Sequence, residues 1–251
     1  MNFIWKELEF FLTCLKNLNI SESFSLNKNK GFCVSTGCSF ESWVFYPERL
    51  NSDIIKEIIK FFNERDISFI FPVYNINGEY EYEKIFEDSG LFYGGDLTAM
   101  SFEPDVGVLH RTNSQITFKK ITSENSREWA ETAWRGFGSS DNVAENYYKF
   151  VDALSNASEK LSLYIAEYDK KNSGTFLITH EEKYVGVYYF ATLPEMRRKG
   201  IANAMMNEIC RLSGNKKILL QATPAGVPFY KNFGFEELFK IPVYSNENEV
   251  F

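Results

Sequence analysis

Apolar residues in the first half of the chain fall into alternating helical and strand-like spacings. Phe3, Ile4, Leu8, Phe11, Leu12 and Leu15 form one stripe at helical spacing and predict a helix over Met1 to Asn19. Gly31 to Ser35 and Phe40 to Tyr46 are β-like runs separated by Thr36-Gly37, which predicts a hairpin. Asn51-Ser52-Asp53 supplies N-cap residues ahead of Ile54, Ile55, Ile58, Ile59 and Phe62, again at helical spacing. Ile67 to Tyr74 reads as a buried strand containing Pro72, Tyr80 to Asp88 as a short helix ended by Gly90, and Leu97 to Phe102 as a strand. Glu103-Pro104-Asp105-Val106-Gly107 is the best candidate for a domain boundary, because turn formers crowd there between two periodic segments.

The second half opens with a strand, Ile116 to Ile121. Capping residues at Ser123 to Glu128 then predict a helix through Trp134, and Ser139-Ser140-Asp141 opens another to about Leu154. Leu161 to Tyr168, Gly174 to Thr179 and Tyr184 to Phe190 read as strands, with His180 to Lys183 as the turn before the third. Ala202 to Leu212 is helical, Lys217 to Ala222 a strand, Gly226 to Phe233 a short helix ended by Gly234, and Phe235 to Tyr244 the last strand. This order predicts a mixed α/β fold of the α+β kind, in which a hairpin-rich sheet feeds one crossover helix.

The two halves repeat each other at a separation of roughly 145 residues. Gly31 matches Gly174 at the head of a hairpin, and Pro47-Glu48 matches Pro194-Glu195 after its second strand. Ile67 to Pro72 matches Lys217 to Ala222, and Phe86 to Leu91 matches Tyr230 to Phe235. The expected domains are therefore residues 1–108 and 114–251. The copies differ where chemistry would reside. Arg197-Arg198-Lys199-Gly200-Ile201-Ala202 in the second faces Arg49-Leu50-Asn51-Ser52-Asp53-Ile54 in the first, and Tyr230 faces Phe86.

Composition narrows the class. The chain has 251 residues, 44% hydrophobic and 24% charged, which is globular rather than disordered; its 24 Phe and 14 Tyr suit well-filled cores. No apolar run is long enough for a membrane span, and Met1 to Ile20 lacks the features of a signal peptide. A net charge of −7 argues against nonspecific nucleic-acid binding. Residues 1–110 carry 9 basic and 17 acidic side chains, so the acidity lies in the first half. Cys14, Cys33, Cys38 and Cys210 make no zinc pattern; they are expected to be free thiols in a reducing cytoplasm, and no metal is expected.

The strand-loop-helix at residues 185–212 has the makings of an anion site. The first turn of a helix carries N–H groups without intrahelical partners and a partial positive charge from the aligned peptide dipoles. Gly200 permits close backbone approach, and Arg197, Arg198 and Lys199 add full charges. The same cluster is also what a solvated helix start looks like, and Tyr230 is also what a packed aromatic looks like.

Arg197-x-x-Gly200-x-Ala202 between strand and helix, preceded by Thr192-Leu193-Pro194-Glu195, resembles the acyl-CoA pyrophosphate loop of the GNAT superfamily of N-acetyltransferases. Tyr230-Lys231-Asn232-Phe233-Gly234-Phe235 resembles that family's Tyr-x-x-x-Gly-Phe. The likeness covers about Ile116 to Tyr244, and more loosely the first half as a degenerate copy, which implies tandem GNAT-like folds of acyl-CoA N-acyltransferase architecture.

It implies that backbone N–H groups across Arg198, Lys199, Gly200, Ile201, Ala202 and Asn203 hold the pyrophosphate of acetyl-CoA. Phe190, Ala191, Thr192 and Leu193 would pair with the pantetheine arm, and Tyr230 would protonate the departing thiolate. Thr223 stands where the family often has Asn. For the general base, Glu167, Asp141 and Glu145 are the candidates; His110, at the linker, and His180, at a hairpin tip, are not. Trp134, Phe137, Tyr147 and Tyr148 fall where the family builds its acceptor wall. The activity implied is acetyl or short acyl transfer to a primary amine, with the chain's carboxylates suiting a cationic small molecule. Two other readings stand beside it: an acyl-CoA sensor without turnover, and a first half that recruits a macromolecular substrate.

Overall fold

The computed structural model describes residues 2–39, 41–74, 82–104, 115–139, 142–157 and 159–248. It divides into two compact units, residues 1–100 with 221–251, and residues 101–220. The chain thus re-enters its first unit after residue 220, whereas the repeat in the sequence divides it once, near residues 103–107. Asp105, Val106, Gly107 and His110 lie outside the described residues.

In the first unit, α1 (Phe3–Lys16) buries Ile4, Leu8, Phe11, Leu12 and Leu15, the stripe expected from its spacing. Asn2 caps it, its side chain accepting from the Trp5 N–H at 3.2 Å. Strands β1 (Glu22–Leu26), β2 (Gly31–Ser35) and β3 (Trp43–Phe45) form an antiparallel sheet in that order. The β2–β3 hairpin is the expected one. Sequence pattern missed β1, four of whose five residues are exposed and give no apolar alternation. Helix α2 (Ser52–Asn63) follows, burying Ile54, Ile55, Ile58, Phe61 and Phe62.

The strand expected over Ile67 to Tyr74 shrinks to β4 (Phe71–Pro72), with a parallel bridge between Ile70 and Trp43. Proline has no N–H to give a ladder, so Pro72 sits in a short antiparallel pairing opposite Val243. Helix α3 (Glu83–Asp88) and β5 (Phe92–Phe102) complete this run. Ring packing links the core: Phe62 stacks on Phe69 at 4.4 Å and Phe86 on Tyr244 at 4.1 Å between centroids.

In the second unit, β6 (Ile116–Lys120), β7 (Leu161–Tyr168), β8 (Lys171–Thr179) and β9 (Tyr184–Thr192) are antiparallel neighbours. Strand β10 (Lys217–Ala222) pairs with β9 in parallel, through Lys217–Leu219 and Tyr184–Gly186. A parallel pair needs a crossover, which α6 (Ile201–Ser213) supplies. Helix α4 (Ser126–Gly136) packs on β7, β8 and β9, α5 (Glu145–Ser155) on β7, and α6 on β8 and β9. The helix expected from Ser139 begins only at Glu145, because residues 142–144 are extended or irregular and Ala144 is the cap residue. Helix α7 (Val227–Phe233) and β11 (Glu236–Ser245) belong to the first unit, where β11 lies between β4 and β5.

One repeat match has a physical basis in packing. A Cβ on Gly31 would come within 2.4 Å of the Phe45 carbonyl oxygen, and one on Gly174 within 2.7 Å of that of Ala191. Both hairpins therefore need glycine in their first strand, at its first residue in β2 and its fourth in β8, to let the second close.

Candidate functional site

Everything at this site hangs on how β9 ends. The strand pairs with β10 only over Tyr184–Gly186 and then continues to Thr192. On its other side, the register with β8 slips: Thr175 faces Ala191 and Leu177 faces Tyr188, so two residues of β9 oppose one of β8. That is a β-bulge, and Tyr189 in it has φ of +49°. A tyrosine in the left-handed region costs about 1 kcal/mol or more. The buried Thr175 hydroxyl holds the distortion, donating to the Tyr189 carbonyl at 3.0 Å. Beyond the bulge Ala191 and Thr192 pair again with Thr175 and Gly174 of β8, while the pairing with β10 has already ended at Gly186; Phe190 and Thr192 are part-buried and Ala191 and Leu193 buried.

A turn of 3₁₀ helix over Pro194–Met196 follows, and then the basic loop. Arg198 has φ of +63° and Gly200 of +80°. A Cβ on Gly200 would meet nothing within 4 Å, so its backbone conformation, not space, calls for glycine there. Among the described residues, the N–H groups of Arg198, Lys199 and Gly200 meet no acceptor. Those of Ile201, Ala202 and Asn203, in the first turn of α6, have no intrahelical partner, and no side chain caps that helix. These are consecutive amides at the positive end of a thirteen-residue dipole.

The three basic side chains are not equivalent. Arg197 turns inward, its guanidinium donating to the carbonyls of Thr192 at 3.3 Å and Gly136 at 3.4 Å, so it ties the loop to the end of α4. Lys199 lies 5.6 Å from the centroid of the Tyr168 ring, over its face. Arg198 is exposed and, among the described residues, makes no hydrogen bond or ion pair. Glu195 is paired with Arg135, and hydrogen bonding to its own backbone leads the effects that hold its carboxyl below the usual range, with Arg135 adding to them. Helix α4 can approach this closely because Gly136 meets Ala191; a Cβ there would stand 2.8 Å from the Ala191 Cβ.

Around the bulge stand aromatic rings. Tyr189 has Trp129 at 5.5 Å, Phe150 at 6.3 Å and Phe137 at 6.5 Å between centroids, and Trp134 lies 5.1 Å from Tyr147. Trp129 and Phe150 are buried, Phe137 is 59% exposed. Of Trp134, Phe137, Tyr147 and Tyr148, which the family resemblance assigned to an acceptor wall, Phe137 meets the Tyr189 ring; Tyr189 itself was missed, since nothing in a β-like run marks the one residue that will bulge.

The candidate bases are engaged elsewhere. Glu167 accepts from the Thr117 hydroxyl at 3.2 Å on the outer strand pair, and exposed Glu145 pairs with Arg127 at 3.6 Å. Asp141 lies outside the described residues. His180 meets the Ser162 hydroxyl at 2.9 Å, and burial, then Lys120 and Lys216, hold its imidazole below the ordinary value. A cavity of about 410 Å³ is lined by Glu131, Arg135, Tyr148, Asn172 and Leu193 among others, with the Tyr148 hydroxyl donating to Glu131 at 3.1 Å. Glu131 escaped notice in the sequence because it reads as one more solvated helix position.

Thr223 and Tyr230 belong to the first compact unit. The Thr223 carbonyl accepts from Gly226 at 2.9 Å and opens α7. Tyr230 is buried between Phe229 and Phe235, at 5.3 and 5.5 Å, and burial pushes its phenol well above the ordinary value. The four cysteines are buried free thiols, with burial raising Cys38 to about 12 and Cys210 to about 11. Among the described residues no cluster of His, Cys, Asp and Glu could hold a metal, and no helix is long and apolar enough to cross a membrane.

Residues 159–237 match the family model of the acetyltransferase (GNAT) domain. Solved structures share the fold over nearly the whole length. A GCN5-related N-acetyltransferase from Kribbella flavida aligns with a TM-score of 0.66 at 13% identity, over 98% of this chain and 96% of that one. A functionally unknown conserved protein from Staphylococcus epidermidis aligns at 0.67 and 12%, over 93% and 97%. A tandem GNAT protein from the clavulanic acid biosynthesis pathway aligns at 0.59 and 8%, over 96% and 94%. The first half is thus GNAT-like in structure as well. The comparison with curated protein sequences gave no match.

Proposed function

We propose that the second half of this chain transfers an acetyl or other short acyl group from acetyl-CoA to a primary amine by direct attack in a ternary complex. The observation that carries this is the open N-terminus of α6: the amides of Arg198 to Asn203 are unpartnered, the cap is glycine, and Arg198 stands free beside them. Such an end fits the pyrophosphate of CoA. The end of β9, beyond its pairing with β10 at Tyr184–Gly186, would offer its main chain to the polar groups of the pantetheine arm. A main-chain N–H at the bulge would stabilise the oxyanion as the amine nitrogen adds to the thioester carbonyl. The carbon–sulfur bond then breaks and the thiolate takes the Tyr230 proton; as the amide forms, the nitrogen gives a proton to water, from which the Tyr230 phenolate is reprotonated. A tyrosine phenol is protonated at neutral pH, as this role needs, and burial raises Tyr230 further. The assignment of Tyr230 rests on the Tyr-x-x-x-Gly-Phe pattern, and that residue also separates this reading from one of acyl-CoA binding without turnover.

The test has two parts: acetyl-CoA binding by calorimetry, and acetyl transfer over a panel of amines. Binding with transfer is the expected result. Binding with no transfer to any amine would favour the sensor, and binding that survives Gly200→Asp with Arg198→Glu would overturn the pyrophosphate assignment.

A further inference from the structure

The strain at Tyr189 and the exposure of Phe137 are two independent oddities that meet. Glycine would fit the bulge without strain, yet a tyrosine stands there at φ of +49°. Its ring is fixed from two sides by the buried Trp129 and Phe150, and Trp129 is itself held by a hydrogen bond from its indole N–H to the Tyr164 carbonyl at 3.1 Å. A third side faces Phe137, edge-on at 80°. Phe137 caps the C-terminal end of α4 and is 59% exposed, the only exposed large hydrophobic side chain among the described residues of the second unit. Neither feature helps folding: one stores strain and the other leaves an aromatic ring in water.

From this pairing we infer that Tyr189 and Phe137 are a specificity wall for the acceptor, and that the acceptor is a primary amine carried on a flat, aromatic body. The inference rests on the proposed acyl transfer, since the bulge that holds Tyr189 lies in the part of β9, beyond its pairing with β10, where that reading puts the acyl group. A flat ring placed against Phe137 would cover its exposed face and meet the Tyr189 edge, an arrangement aromatic rings favour. A short polar or aliphatic amine would leave both rings wet. The chain's acidity, which suits any cationic amine, lies mostly in residues 1–110 and so says little about this wall.

Calorimetric titration of the full chain, saturated with CoA so that no turnover occurs, compares phenethylamine with n-propylamine. Phenethylamine should bind about tenfold tighter or more, and Phe137→Ala should bring the ratio down toward one. Phe137 is exposed, so its replacement leaves the core intact; Tyr189→Phe should keep the ratio. Equal affinity for the two amines, tighter binding of n-propylamine, or an unchanged ratio in Phe137→Ala would each overturn the inference. Failure of the acyltransferase reading would look different: CoA itself would not bind, and the same amine ratio, taken on the free protein, would still decide the wall.

Discussion

Helices α2 and α6 start at matching corners of the two repeats, and they treat their first turns in opposite ways. At α2 the Asn51 side chain accepts from the N–H groups of Asp53 and Ile54, both at 3.0 Å, and the Asp53 carboxylate adds a negative charge at the positive end of the helix. The anion site is filled by the chain itself. At α6 the cap is Gly200, no side chain reaches the first turn, and the neighbouring charges are positive. The rest of the corner diverges in step. In the first copy the Tyr82 hydroxyl accepts from the Leu50 N–H at 3.4 Å, and Tyr46, Leu50, Tyr82 and Phe86 join one buried cluster. A self-capped helix gains stability and gives up a site; an uncapped one keeps the site and forgoes about 1 kcal/mol of capping. On the proposed function, one architecture serves as scaffold in one copy and as ligand grip in the other, with a handful of residues deciding which.

That contrast can be broken or sharpened. The largest effect should come from closing the open corner: Gly200→Asp with Arg198→Glu should weaken acetyl-CoA binding on the order of a hundredfold or more, since it places two negative charges at the anion site and strains the αL position. Calorimetry reads this directly, and unaltered affinity would end the distinction between the two corners. Next, Tyr230→Phe makes the second copy resemble the first, which has Phe86. Turnover should fall roughly 10²-fold, the low end for a lost general acid, with acetyl-CoA affinity kept. Because burial raises the Tyr230 phenol, the kcat profile should show no alkaline loss from this group until above about pH 10, the ordinary tyrosine value; a limb below that would assign the proton to another group. The smallest effect belongs to the closed corner. Asn51→Ala should cost about 1 kcal/mol in urea denaturation and leave acetyl-CoA affinity alone. A change in that affinity would mean the first corner also takes part in binding.

Much of this was legible in the order of residues, for reasons that differ by element. Helices α1, α2 and α6 announced themselves because each buries one long stripe, and burial of a stripe is written at 3.6-residue spacing. The basic loop was legible because Gly200 signals a backbone conformation and Arg197, Arg198 and Lys199 beside it carry charge. Strand β1 was not, being exposed along most of its length, and neither was the late start of α5, since Ser139 to Asp141 offer caps with no helix behind them. The carboxylates singled out as bases were chosen by type and approximate position. Their partners, Thr117 for Glu167 and Arg127 for Glu145, come from other elements and leave no mark nearby in the chain.

The sequence by itself determined the repeat, the corner that carries the charge and the corner that lost it, because caps, glycines and charges act within a few residues of where they stand. Only the tertiary structure decided that β9 bulges at Tyr189, that Arg197 is spent on holding α4, and that residues 221–251 return to the first unit. Each of those depends on a partner far away in the chain: a register against β8, a carbonyl at Gly136, a pairing with β4. Local propensity has no term for them, and the bulge runs against it, since an isolated tyrosine avoids the very backbone conformation that the neighbouring strand imposes.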